Sequence, residues 1–292
     1  MKLKDFYIEE NDVFGMPQVY RGIPIYPIKL LDSSTSTLMY LLLAHDKLEF
    51  IDKQGMPFDG IKGIYKSPYM KAMLYGLSYG NMIKYYEALT AYRQLLATVF
   101  HLDTEKEEPD DIVVLCNNNL KNPLDIFDSI LCIVVKLNGE LIKLTEEDLE
   151  LIRECILKQS GIPLKSLEGY NADMEKIKRD KQKSEKTMSF SDEIFAFVTM
   201  SGMDINGESL KNYTLYQFKY HFSYLQQYVN YRTLYPLQAG GQVKFSSPIK
   251  YYLEPLNLEK GRYDDLLIKA DDFAQSGVAK SVNAFSIPDM NK

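Results

Sequence analysis

Apolar residues recur every three or four positions along much of the chain, the spacing of one face of an α-helix. Residues 67–101 show this spacing, with Pro68 near the predicted helix start and two helices expected to meet near Gly76–Gly80. Before them, "YRGIPIYPIKLLD" (residues 20–32) combines two prolines with β-branched residues, which predicts an extended edge or capping segment. Residues 1–101 are therefore predicted to be a mainly helical region with an extended start.

The pattern changes in the middle of the chain, where two β-rich runs flank Asn138-Gly139. This pair tolerates the positive φ angles of a two-residue hairpin turn, so a β-hairpin is predicted here. A helix follows, because Thr145 and Asp148 fit a capping box, and it is expected to stop at Gly161. Its predicted apolar face comprises Leu149, Ile152 and Ile156. Residues 102–169 are thus predicted to contain strands, the hairpin and one helix.

The remaining chain divides into three predicted regions. Residues 170–188 are dense in mixed charge, which predicts a linker or an exposed helix. Residues 189–236 predict a helical module, in which a turn broken by glycines separates one helix from a longer one. Residues 237–292 are rich in proline and glycine at their start and predict an extended C-terminal region. The predicted fold class is α+β, mainly α-helical, with a small β-hairpin element in the middle of the chain.

Two apolar stripes run along the predicted helix that begins near Thr214. At roughly 100° per residue, its tyrosines fall within an arc of about 120°. They are Tyr213, Tyr216, Tyr220, Tyr224, Tyr228, Tyr231 and Tyr235. The opposite stripe comprises Leu215, Phe218, Phe222, Leu225 and Val229. A surface helix needs one apolar stripe, so we predict that the tyrosine side binds a partner, supported by Met203 and Ile205 in the preceding turn; burial of both faces in one domain stays open.

Composition narrows the function classes. The chain has 292 residues, 46% of them hydrophobic, so it can form a substantial core. With 34 basic against 40 acidic residues, binding to nucleic acid is not expected, nor is attraction to an anionic membrane. No signal peptide and no run long enough to span a bilayer is recognisable. Cys116, Cys132 and Cys155 have apolar neighbours and are predicted to be reduced structural thiols in an intracellular protein.

The sequence matches known catalytic motifs only weakly. Gly76 to Gly80, "GLSYG", fits the G-x-S-x-G elbow of serine hydrolases, but the residues before Ser78 have helical and not strand spacing. His101 and His221 lie in predicted helices, and no histidine has a second ligand at metal-binding spacing. No phosphate-binding loop occurs. We therefore predict a non-enzymatic protein without catalytic residues, metal or cofactor, and keep the hydrolase as the less favoured alternative.

A DNA-binding regulator is the first alternative and is favoured over the hydrolase. Residues 189–236 can be read as a helix-turn-helix whose last helix lies in a major groove. That helix carries only Lys219 as a basic residue before Arg232, which offers little neutralisation of phosphate charge.

A hairpin, a helix, a charged spacer and a short helical module follow one another within residues Val135 to Tyr224. This stretch contains Ile152-Arg153, Lys158-Gln159, Gly202-Met203 and Thr214-Leu215 with Phe218. At these positions the layout resembles that of tail-assembly and baseplate-assembly proteins of large tailed bacteriophages. Ser160 departs from the layout, which more often has asparagine there. The resemblance implies a morphogenesis protein, either an assembly chaperone or a minor tail component, that binds another tail or baseplate protein or itself. Its expected place is the host cytoplasm during assembly, with the virion as the alternative.

Overall fold

The described part of the chain contains both helices and strands. The computed structural model describes residues 2–30, 82–102, 111–116, 130–162, 189–203, 208–240, 249 and 251–256. Its α-helices are α1 (Glu9–Phe14), α2 (Met82–Val99), α3 (Glu146–Gln159), α4 (Phe190–Ser201), α5 (Glu208–Asn212) and α6 (Leu215–Ala239). Its strands are β1 (Gln18–Tyr20), β2 (Ile23–Ile25), β3 (Ile112–Cys116), β4 (Ile130–Leu137) and β5 (Glu140–Leu144), and a 3-10 turn covers Leu3–Asp5. The predicted α+β class is confirmed.

The chain forms two units. The first comprises Met1–Leu164 and Gly202–His221, and the second comprises Lys165–Ser201 and Phe222–Lys292. Both sheets belong to the first unit, whereas α4 belongs to the second. Helix α6 starts in the first unit, and from Phe222 onward its residues belong to the second.

The N-terminal segment folds as a two-stranded antiparallel hairpin of β1 and β2. Pro24 lies inside β2, where its missing N–H is tolerated because each strand of a two-stranded sheet is an edge strand. The extended edge segment predicted from the prolines is therefore present, and Ile23 and Ile25 on either side of Pro24 are buried. The tight turn was not predicted: Arg21 and Gly22 both have positive φ, 51° and 81°.

The central sheet has the strand order β3-β4-β5, with antiparallel pairing throughout. Asn138 and Gly139 form the turn between β4 and β5 with φ of 50° and 85°, so the predicted hairpin is confirmed. Buried side chains on this sheet include Ile112, Cys132, Ile133, Val135 and Leu144.

Helix α3 follows the hairpin and begins as predicted. The Thr145 hydroxyl accepts a hydrogen bond from the Asp148 N–H, and the Asp148 carboxylate accepts one from the Thr145 N–H at 2.8 Å, which completes the capping box. The predicted apolar face, Leu149, Ile152 and Ile156, is buried together with Cys155. The helix ends at Gln159, and Gly161 beyond it has φ of 63°, a conformation that favours glycine.

The start of α6 is fixed by backbone pairing with the N-terminal segment. The Leu215 N–H donates to the Ile28 carbonyl at 3.0 Å, and the Leu30 N–H donates to the Tyr213 carbonyl at 2.7 Å. Thr214 and Gln217 cap the helix reciprocally, and the Gln217 side chain also donates to the Val13 carbonyl. Hydrogen bonds with Ile28, Leu30 and Val13 therefore hold the first turn of α6 in the first unit.

Two sequence-based boundaries need correction. His101 was placed in a helix, but α2 ends at Val99 because His101 adopts φ of 53°, and its ring stacks on Tyr26 with centroids 3.6 Å apart. Helix α6 continues to Ala239, past the predicted module end at residue 236, with Pro236 inside it. Other predictions lie outside the described residues: the helix junction at Gly76–Gly80 with Ser78, the side chain of Cys116, the charged segment 170–188, and Ile205.

Candidate binding surface on helix α6

The Leu/Phe stripe of α6 packs in the protein interior over the first two turns. Leu215 and Phe218 are almost completely buried in the first unit, and Phe222 is buried in the second. The Phe222 ring meets Phe197 of α4 edge to face, with centroids 6.4 Å apart. Farther along, Val229 is exposed. The stripe predicted to face the chain's own core does so at its N-terminal end.

The first three tyrosines contribute to packing of the first unit. The Tyr213 hydroxyl lies 2.8 Å from Nδ1 of His221, and the Tyr216 and Tyr220 rings stack with centroids 4.3 Å apart. A Cβ added at Gly161 would lie 3.8 Å from each of the two stacked rings, so they sit against the end of α3. The pKa of Tyr216 is raised, mainly by burial and to a smaller extent by its hydrogen bond with Tyr220. These half-buried phenols therefore offer little free surface.

The later tyrosines of α6 are more accessible. We define the tyrosine surface as Tyr224, Tyr228, Tyr231 and Tyr235, all in the second unit. Three of them expose a large part of their surface, 37% for Tyr224, 38% for Tyr228 and 47% for Tyr235. Tyr231 is half-buried and stacks on Tyr235 with centroids 4.8 Å apart.

A segment that sequence reasoning did not select adds two more tyrosines. We define the C-terminal turn as Tyr251–Glu254, in which the Glu254 N–H donates to the Tyr251 carbonyl at 3.0 Å. Tyr252 meets Tyr228 edge to face with centroids 5.3 Å apart, and both Tyr251 and Tyr252 contact Tyr231. The Tyr-Tyr pair after a proline-rich stretch is visible in the sequence, but nothing there indicates that it returns to α6.

The tyrosine surface is almost free of charge. Between Tyr224 and Ala239 the sequence contains one charged residue, Arg232. Its guanidinium lies over the Tyr228 ring, 5.6 Å from the centroid, and donates to the Tyr228 hydroxyl at 3.3 Å. Phenol rings with hydroxyl groups and one cation can bind apolar, hydrogen-bonding and acidic groups.

Of the two residues predicted to support this surface, the structure describes one. Met203 follows α4 and is half-buried. It belongs to the first unit, unlike the exposed tyrosines of α6.

A second candidate site surrounds Asp148 at the start of α3. An open cleft of about 630 Å³ is lined by Tyr20, Arg21, Glu147, Asp148, Glu150 and Leu151. Burial alone would raise the pKa of Asp148, but hydrogen bonds from Tyr20, Thr145 and Arg21 outweigh it and lower that pKa. Because the carboxylate is already satisfied by these donors, it is not free to bind a ligand. The cluster instead connects the β1–β2 hairpin to α3.

Another buried carboxylate, Asp12, ties α1 to its surroundings. It accepts hydrogen bonds from the Tyr7 hydroxyl and the Gln18 amide, and the Gln18 side chain also pairs with the backbone of Ile8. Burial raises the pKa of Asp12 despite these bonds. Burial likewise raises the pKa of the neighbouring Cys155 thiol, which is expected to be unreactive.

The part of the chain that the structure describes contains no group of three or more histidine, cysteine or acidic residues able to hold a metal ion. Over the same residues, none of the helices has the length and apolar character needed to cross a bilayer.

Residues 180–257 match the family model of the YomV second domain. This family is phage-derived, so the match is consistent with a phage protein. No curated protein and no solved structure matches the chain significantly. The matched residues include α4, α5 and α6 and end just after the C-terminal turn. The tyrosine surface and the turn that packs on it thus both lie within the matched region.

Proposed function

We propose that this chain is a non-enzymatic phage morphogenesis protein that acts in tail or baseplate assembly by binding another structural protein. The observation that carries the proposal is the tyrosine surface, where Tyr224, Tyr228 and Tyr235 expose their rings within the region that matches a phage-derived domain. The sequence resemblance to tail-assembly proteins supports the assignment to tail or baseplate. The expected site of action is the host cytoplasm, with the virion as the alternative.

Tyrosine suits such a surface for physical reasons. Its ring provides a large contact area with only two rotatable side-chain bonds, and its hydroxyl remains hydrogen-bonded to water when no partner is present. Tyrosine and arginine are also enriched among the residues that dominate binding energy at protein interfaces. The tyrosine surface contains both, because Arg232 lies against Tyr228.

Replacing Tyr224, Tyr228 and Tyr235 together with serine is expected to abolish co-purification of the partner from cells in which the phage replicates. Loss of even one central tyrosine commonly costs about 2 kcal/mol of binding, so three should lower the affinity by far more than tenfold. Affinity purification followed by mass spectrometry measures the loss, and a tail or baseplate protein is the partner expected for the wild type.

The matched control replaces Gln226, Asn230 and Thr233, exposed polar residues of the same helix, with alanine. This control is expected to retain the partner, and circular dichroism should show both triple variants folded. A folded tyrosine variant that still retains the partner would overturn the proposed binding surface. Mass spectrometry of purified particles then distinguishes a transient chaperone from a virion component.

The DNA-binding alternative is disfavoured by burial at the start of α6. A recognition helix uses its N-terminal residues to contact base edges. Here Thr214 and Leu215 are buried, and the adjoining backbone pairs with Ile28 and Leu30. DNA binding that weakens steeply with salt would nevertheless favour this alternative. Labelling of Ser78 by a serine-directed phosphonate would favour the hydrolase.

A further inference from the structure

Part of the tyrosine surface is already occupied by the chain's own C-terminal turn. Gln227, on the same helix, donates through Nε2 to the carbonyls of Tyr251 and Glu254, at 2.6 and 3.3 Å. The Tyr251 and Tyr252 rings lie against Tyr228 and Tyr231. The structure thus shows one peptide segment seated on this surface, together with the groups that recognise it.

The turn contacts α6 in a different way from the N-terminal segment, which is one of the other segments that pack on this helix. The N-terminal segment pairs backbone to backbone with the start of α6, through Ile28 and Leu30. The described contacts between the C-terminal turn and α6 are the two hydrogen bonds from Gln227 and the ring contacts. Leu253, within the turn, exposes 63% of its surface. Displacing the turn would therefore break no backbone pairing among these contacts and would uncover little buried aliphatic surface.

We propose that the tyrosine surface recognises a partner segment built like the C-terminal turn, and that the turn occupies the surface until such a segment displaces it. This inference rests on the proposed function, because it names the chemistry of the partner. The recognised segment has two consecutive aromatic residues with a carboxylate two positions after the second, folded as a turn that directs two carbonyls at Gln227.

Each part of this chemistry has a counterpart in the seated turn. The aromatic pair supplies the ring contacts to Tyr228 and Tyr231. The carboxylate stabilises the turn itself, since Glu254 Oε1 accepts from the Tyr251 N–H at 3.2 Å and the Glu254 N–H returns a bond to the Tyr251 carbonyl. Such a local ring of hydrogen bonds preorganises a short peptide and reduces the entropy lost on binding.

The test uses the full-length chain and a fluorescent peptide of residues 248–257, PIKYYLEPLN. Replacing Tyr251 and Tyr252 together with serine should vacate the surface, and the peptide should then bind at least about tenfold more tightly than it binds the wild type. That factor is expected because a tethered competitor acts at an effective concentration on the order of millimolar. Fluorescence anisotropy measures the binding. Leu253→Ser is the matched control, since it alters the turn but keeps both rings, and it should behave as the wild type.

A second variant tests recognition of the turn. Adding Gln227→Leu to the vacated protein should weaken peptide binding about tenfold, whereas adding Gln226→Leu, at an exposed neighbouring position, should leave it unchanged. Failure of the vacated protein to bind the peptide would overturn the inference, as would equal binding by the wild type. If the peptide fails while partner co-purification still requires the tyrosines, the proposed function stands without this inference. If the peptide binds but no partner co-purifies in a way that depends on the tyrosines, the proposed function is refuted instead.

Discussion

Replacing Asp148 with alanine is expected to lower the free energy of unfolding by about 2–4 kcal/mol. The substitution removes the acceptor for the buried Tyr20 hydroxyl and for the Thr145 N–H, so a helix cap and a contact between the β1–β2 hairpin and α3 are lost together. Urea unfolding followed by circular dichroism measures the change. The buried hydroxyl of Tyr20 is left without this acceptor, which makes the loss larger than that of the cap alone.

Arg21→Ala is the matched control, because Arg21 contributes the ion pair to the same carboxylate but exposes 58% of its side chain. An exposed ion pair contributes little, so the control is expected to cost much less stability than Asp148→Ala. Equal losses for the two variants would contradict the assignment of Asp148 as the central acceptor.

The pH dependence provides an independent check on Asp148. Its folded-state pKa is lowered, so the stability it contributes is present above its unfolded pKa and is lost as the pH falls through the folded pKa. The gap between wild type and Asp148→Asn should therefore be widest near neutral pH and should narrow as the pH falls below the pKa of an unfolded aspartate, about 3.9. Asp12, with a raised pKa, favours folding at low pH and loses that contribution as the pH rises through its folded pKa. The difference between the wild type and Asp148→Asn reports on Asp148 alone, because Asp12 is present in both proteins.

Short sequence motifs correctly predicted the β4–β5 turn and the start of α3, because the geometry of each depends on residues close together in the sequence. Asn138-Gly139 indicates a hairpin because both positions need positive φ, and Thr145 with Asp148 indicates a helix start because each side chain reaches the other's backbone. The Arg21-Gly22 turn has positive φ angles similar to those of Asn138-Gly139 but was missed, since arginine rarely adopts a left-handed conformation and gives no such signal.

Contacts between distant parts of the sequence could not be predicted in this way. Lys29 forms a β-bridge with Thr214, and Tyr20 reaches Asp148, across separations for which periodicity carries no information. Periodicity also placed the tyrosines of α6 on one side without showing that their environments differ along the helix. Tyr216 and Tyr220 pack beside Gly161, whereas Tyr224 and Tyr228 are exposed, and only the three-dimensional structure distinguishes these pairs.

Replacing Phe218 with alanine is expected to have the largest effect on stability, about 3–5 kcal/mol. The side chain is almost completely buried in the first unit, so the substitution removes its transfer free energy and leaves a cavity. Thermal unfolding and urea unfolding should both report the loss. Partner binding by the fraction that remains folded is expected to be unchanged, because Phe218 is buried and is not part of the tyrosine surface.

Tyr224→Ala on the same helix is the informative comparison. The Tyr224 ring is more than one third exposed, so the substitution is expected to lower the free energy of unfolding by less than about 1 kcal/mol. It is expected to lower the affinity for the partner instead. If Phe218→Ala lowers stability alone and Tyr224→Ala lowers partner affinity alone, the residues of α6 that stabilise the fold are distinct from those that bind the partner. If Tyr224→Ala instead destabilises the protein as much as Phe218→Ala, both stripes belong to the core, and the partner must bind elsewhere on the chain.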